Sequence, residues 1–276
     1  MVKPRGIAVV TGASRGIGPV IARAMAETGY SIVVTGRSAP ELESVAASLK
    51  TGGATALAVP ADLTDIGSRK ALVKTVEQEL GPVEVLVNNA GGDPQREFEV
   101  MSWGENEAIL ALNLVAPLQL THLLLPGMLE RRRGHIVNVS SIAGRVGFPY
   151  TEAYAAAKDG LIGFTRVLRA DYRGRGVSAS VIVLGAIRDA GQGQRTADEL
   201  GLDMPAMGTS PAGAVGRAVV AAIQKDRPEI VVMPGPGRLL KALMDLFPSL
   251  GPAMNEAAGA NATMDRVIEH RRRTVA

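Results

Sequence analysis

Cysteine is absent from the 276-residue chain. That removes disulfides, thiol nucleophiles and cysteine-held zinc or iron–sulfur centres, and it is compatible with a reducing compartment. Histidine is scarce, with three in the chain. His122 lies in an apolar helical stretch and His135 starts a strand; no His-x-x-x-His pattern or acidic cluster accompanies them, so no metal site is expected. A strong charge of either sign is also missing. Thirty Lys and Arg against 27 Asp and Glu leave a net charge of +3, too mild an excess to argue for nucleic acid. The arginine runs Arg131–Arg133 and Arg271–Arg273 each close a helical pattern, where cations complement the helix dipole. Gly, Pro or charge interrupts the apolar stretches before a membrane-spanning length, so no membrane partner is expected. Met1–Gly6 lead straight into a strand and leave no room for a signal peptide; the expected location is cytoplasmic.

What is present is a core-forming composition: 46% hydrophobic residues, 21% charged, and a mean hydropathy of +0.15. This suits one large α/β domain. Short β-branched runs at Ile7–Val10, Ser31–Thr35, Ala54–Val59, Val83–Val87, His135–Ser140, Val177–Leu184 and Glu229–Val232 alternate with helical patterns. The helices are expected near Ile17–Thr28, Pro40–Lys50, Asp65–Leu80, Met101–Arg132, Thr151–Tyr172 and Pro211–Gln224. Such alternation predicts a doubly wound parallel sheet of about seven strands with helices on both faces. After Val232 it stops, and two helical patterns follow near Arg238–Phe247 and Glu256–Arg271. The predicted organisation is one domain over 1–236 with a helical extension over 237–276.

The stretch Thr11-Gly12-Ala13-Ser14-Arg15-Gly16-Ile17-Gly18 follows the first strand and opens the first helix. Gly12 permits a sharp turn, Gly16 lets backbone amides approach a phosphate, and Gly18 permits close helix–strand packing. The helix then offers free N–H groups and its positive dipole end to an anion. This makes Gly12, Ser14, Arg15, Gly16, Ile17 and Gly18 a candidate dinucleotide cradle in a Rossmann-type unit. An acid after the second strand would bind a ribose 2′-hydroxyl, but that strand ends Thr35-Gly36-Arg37-Ser38. Arg37 suits a 2′-phosphate, Arg15 can reach the same group, and Ser38 adjoins it. The expected cofactor is therefore NADP(H), preferred over NAD(H).

The glycine spacing, "NNAG" at Asn88–Gly91, "ADL" at Ala61–Leu63, "NL" at Asn113–Leu114, "IVNVSS" ending at Ser141 and "YAAAK" over Tyr154–Lys158 occur in this order, with 13 positions between Ser141 and Tyr154. Together they resemble the short-chain dehydrogenase/reductase family from about Gly6 to Val232, and within it the 3-oxoacyl-(acyl-carrier-protein) reductases. The resemblance implies reversible carbonyl reduction or alcohol oxidation by hydride transfer, on 3-oxoacyl thioesters or other apolar ketones. Tyr154 is then the proton donor, Ser141 holds the substrate oxygen, Lys158 also binds the nicotinamide ribose, and Asn113 holds a relay water. Asp62 and Leu63 fall beside the adenine; Asn88, Ala90, Gly91, Gly185 and Ile187 fall along the cofactor. Residue chemistry agrees: Tyr154 and Lys158 share a helix face, and an ammonium plus an oxidised nicotinamide would lower a phenol pKa that is normally near ~10.

Two positions depart from the family pattern. Leu184 stands where a proline is usual, and Asp189 where a threonine usually bonds the cofactor. They leave a second reading, a low-turnover NADP(H)-binding sensor or scaffold. The small-residue stretch Ala190–Gly208 falls where the family carries a substrate lid. The family also implies a homodimer or homotetramer built on the helices over Met101–Arg132 and Thr151–Tyr172. The amphipathic tail is expected to cover the substrate pocket and make it apolar.

Overall fold

A computed structural model describes residues 5–204, 208–257 and 259–275. Its strands are β1 (Ile7–Thr11), β2 (Ser31–Gly36), β3 (Ala56–Pro60), β4 (Val83–Asn88), β5 (Gly134–Ser141), β6 (Val177–Leu184), β7 (Ile187–Arg188), β8 (Ser210–Pro211) and β9 (Glu229–Val232). Seven of them form one parallel sheet in the order β3-β2-β1-β4-β5-β6-β9, and β7 pairs with β8 separately. The helices are α1 (Ile17–Glu27), α2 (Ala39–Thr51), α3 (Ile66–Glu79), α4 (Trp103–Leu110), α5 (Ala116–Glu130), α6 (Glu152–Tyr172), α7 (Gly191–Glu199), α8 (Ala212–Gln224), α9 (Gly237–Leu246), α10 (Leu250–Ala257) and α11 (Ala260–Val275).

The two-residue period of a strand divides the core. From β1, Ala8 and Val10 pack with Ile21 of α1, Leu42 of α2 and Val215 and Val219 of α8. Ile7 and Val9 face the other way, with Leu72 of α3, Leu120 and Leu124 of α5 and Leu168 of α6. Both faces are covered, so all five residues of β1 are buried and its sequence reads as a continuous apolar run. The chain leaves β1 towards β2 on one side and reaches β4 on the other. A crevice opens beyond the carboxyl ends of β1 and β4, where the winding direction reverses, and ligands bind in such crevices.

Several boundaries differ from the sequence reading. The third strand begins at Ala56, because Ala54 and Thr55 complete the turn after α2. The long apolar stretch is one continuous helical rod, but α4 and α5 are joined by a π-helical turn over Ala111–Val115. This rod, Trp103–Glu130, is 28 residues long, and its most apolar 18-residue stretch has a mean hydropathy of 1.8. It is therefore long and apolar enough to cross a bilayer, contrary to the expectation of short interrupted runs. Its Ala116, Leu120, Leu124 and Met128 are buried in the chain's own core. The Phe247–Pro252 break is shorter than expected, since Leu250 already starts α10. The lid segment contains a helix, α7, while Pro205–Met207 lie outside the described residues.

Candidate active site

A cleft of about 1000 Å³ occupies the crevice. It brings together Gly12, Ser14, Arg15, Gly16, Ile17, Arg37, Ser38, Asp62, Leu63, Ala90, Gly91, Ser141, Tyr154, Lys158, Gly185 and Ile187. Gly12 has φ 64, and a Cβ there would stand 2.7 Å from the Ala90 Cα, so only glycine lets the loop turn this close to the end of β4. Gly18 does not line the cleft. A Cβ on it would fall 2.2 Å from the Gly12 carbonyl oxygen, so it serves the packing of α1 against the loop.

Asn88 does not reach the cleft either. Its Nδ2 donates to Asn138 Oδ1 at 2.8 Å, and Asn138 Nδ2 donates to Thr165 Oγ1 at 2.8 Å. The side chain thus ties β4 to β5 and α6 beneath the site. Its neighbour Asn89 lines the cleft instead, with Nδ2 donating to the Thr11 carbonyl at 2.9 Å. Asn113 is fully buried and sits in the π-helical turn, a distortion that recurs at functional positions. Its Nδ2 donates to the carbonyls of Gly92 at 2.8 Å and Ile109 at 2.9 Å, while its Oδ1 accepts from the Gly92 N–H. A Cβ on Gly91 would meet Asn113 Oδ1 at 2.6 Å and Lys158 Nζ at 3.1 Å. Asn113 and Lys158 therefore both crowd the face of Gly91 on which a Cβ would stand.

The catalytic candidates converge from β5 and α6. Ser141 ends β5, where its Oγ accepts from the Ala143 N–H at 3.1 Å. Tyr154 lines the same cleft as Ser141. Lys158, one turn on, is 4% exposed; its Nζ donates to the Val139 carbonyl at 3.0 Å and lies 5.5 Å from the centre of the Tyr154 ring. Ser140 Oγ donates to the Lys158 carbonyl at 2.8 Å, which locks α6 to the end of β5. Burial pushes the Tyr154 phenol up to about 12, the Ser141 hydroxyl opposing the rise and the Asp93 charge adding to it. Burial lowers the Lys158 ammonium to about 8. Desolvation, which a count of neighbouring charges does not report, thus governs the phenol here.

Further residues of the cleft carried no sequence signal, because they meet only through the fold. Asp93 follows the NNAG segment. Its Oδ1 accepts from the Gln95 N–H at 3.2 Å, and its buried Oδ2 has no hydrogen-bond partner. Burial raises its carboxyl to about 6. Gln192 of α7 clamps the Asp93 backbone, accepting from its N–H at 3.1 Å and donating to its carbonyl at 2.8 Å. From the tail, Thr263 and Met264 line the same cleft. The tail is pinned there by Tyr150 donating to Asp265 at 2.8 Å, by Arg271 pairing with Glu199 of α7 at 2.8 Å, and by the Arg272–Glu97 pair. Asp189, a departure from the pattern, has φ 70 and an exposed carboxylate, and its N–H donates to Gln194 at 3.0 Å. Leu184 is a buried core residue.

A family model described as short chain dehydrogenase matches residues 6–200. The chain belongs to the short-chain dehydrogenase family. Among its relatives, a ketoacyl reductase, HetN, of Nostoc sp. is 36% identical over 88% of this chain and 83% of its own. A 3-oxoacyl-[acyl-carrier-protein] reductase of Synechocystis sp. is 36% identical over 66% of this chain and 74% of its own. Of solved structures, a metagenomic short-chain oxidoreductase in complex with NADP superposes with a TM-score of 0.70 and 31% identity over 84% of this chain and 98% of its own. An actinorhodin polyketide ketoreductase variant with NADPH gives 0.73 and 26% identity over 84% and 97%. Membership in this family makes the chain an oxidoreductase homologue with a site for a nicotinamide cofactor.

Proposed function

We propose that this short-chain dehydrogenase is an NADP(H)-dependent carbonyl reductase, reversible as an alcohol dehydrogenase, with Tyr154 as the acid. The observation that carries the reading is the convergence of Ser141, Tyr154 and buried Lys158 at the carboxyl end of β5 and inside the cleft. The cleft also fits the dinucleotide. Arg15 and Arg37 line it without a salt bridge to any carboxylate among the described residues, which leaves both guanidiniums free for phosphate. They support NADP(H) over NAD(H), as do the NADP-bound relatives.

A bound reduced nicotinamide supplies the hydride. The protein's own part is to hold the carbonyl and deliver a proton. Ser141 Oγ donates to the substrate oxygen and Tyr154 gives it the phenolic proton. A phenol raised towards 12 is neutral at physiological pH, which is the form reduction requires. Lys158 is held by the Val139 carbonyl at the back of Tyr154 and stabilises negative charge on the phenolate left behind. Asn113 fixes the Gly91–Gly92 backbone next to Lys158.

The apolar cleft wall, including Phe148, Leu200, Leu202 and Met264, favours a ketone with an apolar body. A 3-oxoacyl thioester is such a substrate, and reductases of that class are among the relatives. The sensor or scaffold reading gains no support, since the Leu184 and Asp189 side chains leave the Ser141–Tyr154–Lys158 set assembled. Association through α4, α5 and α6 as a homodimer or homotetramer is part of the reading, supported by exposed Trp103, Val115 and Val167.

The test is NADPH consumption over a panel of ketones, diketones and acyl thioester mimics, with Tyr154→Phe in parallel. The variant should keep NADPH binding and lose turnover by about 10²–10⁴-fold. Near-normal turnover in it excludes Tyr154 as the acid; no consumption by the native protein on any carbonyl favours the binding-protein alternative.

A further inference from the structure

We infer that Arg195, on the lid helix α7, is a third phosphate-binding arginine, one that holds the cofactor pyrophosphate from above and couples dinucleotide binding to lid position. The inference rests on the dinucleotide reading of the cleft and extends it to a residue outside the glycine loop.

The lid helix sits directly over the amino end of α1. Its first residue, Gly191, has its backbone N and Cα 3.4 Å from the point where a Cβ on Gly16 would stand. The Arg195 Nη1 lies 3.5 Å from the same point. Gly16 has φ 67 and precedes the free N–H groups of the first turn of α1. Those N–H groups are where a pyrophosphate is held in a fold wound this way. Arg195 therefore points at the phosphate end of the crevice, while Gln192, on the same helix, is tied to the Asp93 backbone at the substrate end.

The electrostatics point the same way. Partial burial, and then the nearby Arg15 guanidinium, disfavour the charge on Arg195. Neither forms a salt bridge with a carboxylate among the described residues. Two like charges gathered over one loop make a place for an anion. Asp189 and Asp198 line the adjoining small cavity with them, so an anion arriving at Gly16 meets two carboxylates nearby. Asp189, the residue standing where the family pattern has a neutral threonine, has its Oδ2 3.9 Å from Arg188 Nε. Arg37 is in a different place: it follows β2 and acts on Asp62. The two arginines thus address different phosphates. Arg37 meets the 2′-phosphate, which NADP(H) alone carries; Arg195 meets the pyrophosphate, which both dinucleotides share.

This separation sets the experiment. Dissociation constants for NADP+, NAD+ and ADP-ribose are measured by calorimetry on the native protein, Arg195→Gln, Arg195→Lys and Arg37→Gln. Arg195→Gln should weaken all three by about five- to tenfold, the loss of one charge-assisted hydrogen bond at an exposed site. Arg195→Lys should recover part of that loss, and 1 M salt should shrink it. Arg37→Gln should weaken NADP+ alone. Hydrogen exchange of the α7 amides should slow on adding NADP+ to the native protein, and slow less in Arg195→Gln. Affinities within twofold of native for all three ligands overturn the inference and leave the dinucleotide reading intact. A loss confined to NADP+ overturns the pyrophosphate assignment. A native protein that binds no dinucleotide overturns both.

Discussion

Asp93→Asn is the substitution whose effect follows most directly from the geometry of the cleft. The carboxyl of Asp93 is half-buried, with one oxygen accepting from Gln95 and the other buried without a partner. Burial raises it from 3.8 to about 6. A raised acid binds more protons folded than unfolded between those values, so its contribution to stability falls as pH rises through that window and the full penalty applies above about pH 6. Two pKa units correspond to roughly 3 kcal/mol. Solvent reaches part of the group, and screening reduces the figure to about 1 kcal/mol. Asn has the same shape without the charge. Asp93→Asn should therefore be more stable than the native protein by about 1 kcal/mol at pH 7.5, or about 2–4 °C in melting temperature for a chain this size, and indistinguishable from it at pH 4. Urea unfolding at the two pH values measures this. A gain of the same size at both, or a loss at pH 7.5, refutes the argument. The same variant removes a charge that raises the Tyr154 pKa, so the alkaline limb of alcohol oxidation should shift to lower pH.

Two further outcomes concern the ends of the cleft. Arg37→Asp should lower the preference for NADPH over NADH by at least about tenfold, since the 2′-phosphate loses a partner and meets a negative charge; an unchanged ratio of kcat/KM for the two cofactors excludes Arg37 as the 2′-phosphate partner. Met264→Ala removes the apolar contribution of α11 to the cleft and should raise kcat/KM for bulky ketones relative to small ones, whereas an unaltered ratio means that the tail does not shape substrate choice.

The parts of the molecule legible in its sequence are those fixed by neighbours along the chain. β1 and the glycine loop could be read because burial on both faces makes a strand uniformly apolar and because three glycines within seven residues leave few other uses. The Tyr154–Lys158 pair was legible because helix geometry alone puts the two on one face. Asn88 and Asn89 were not separable in this way: adjacent residues at a strand end point to opposite sides, and nothing local says which side is the cleft. The π-helical turn at Asn113 was invisible, because one extra residue in an apolar helix barely disturbs its periodicity. Asp93, Gln192, Arg195 and Met264 come from three separate segments, and only the winding of the sheet brings them to one cleft. The desolvation of Tyr154 was not legible for a related reason: charge neighbours can be counted in a sequence, but depth of burial cannot.

The Thr11 hydroxyl carries a consequence for how this protein acquires its activity in time. Its Oγ1 donates to the Val87 carbonyl and accepts from the N–H groups of Asn89 and Ala90, residues 76 to 79 positions further along the chain. The seam between β1 and β4 therefore cannot close until three crossover helices, α1 to α3, and two further strands lie between them, and long-range parallel pairing of this kind is intrinsically slow. A chain with only its first two or three strands docked has the glycine loop but no opposite wall. Cofactor capture during refolding should consequently lag the appearance of helical signal, and the lag times the closing of that seam.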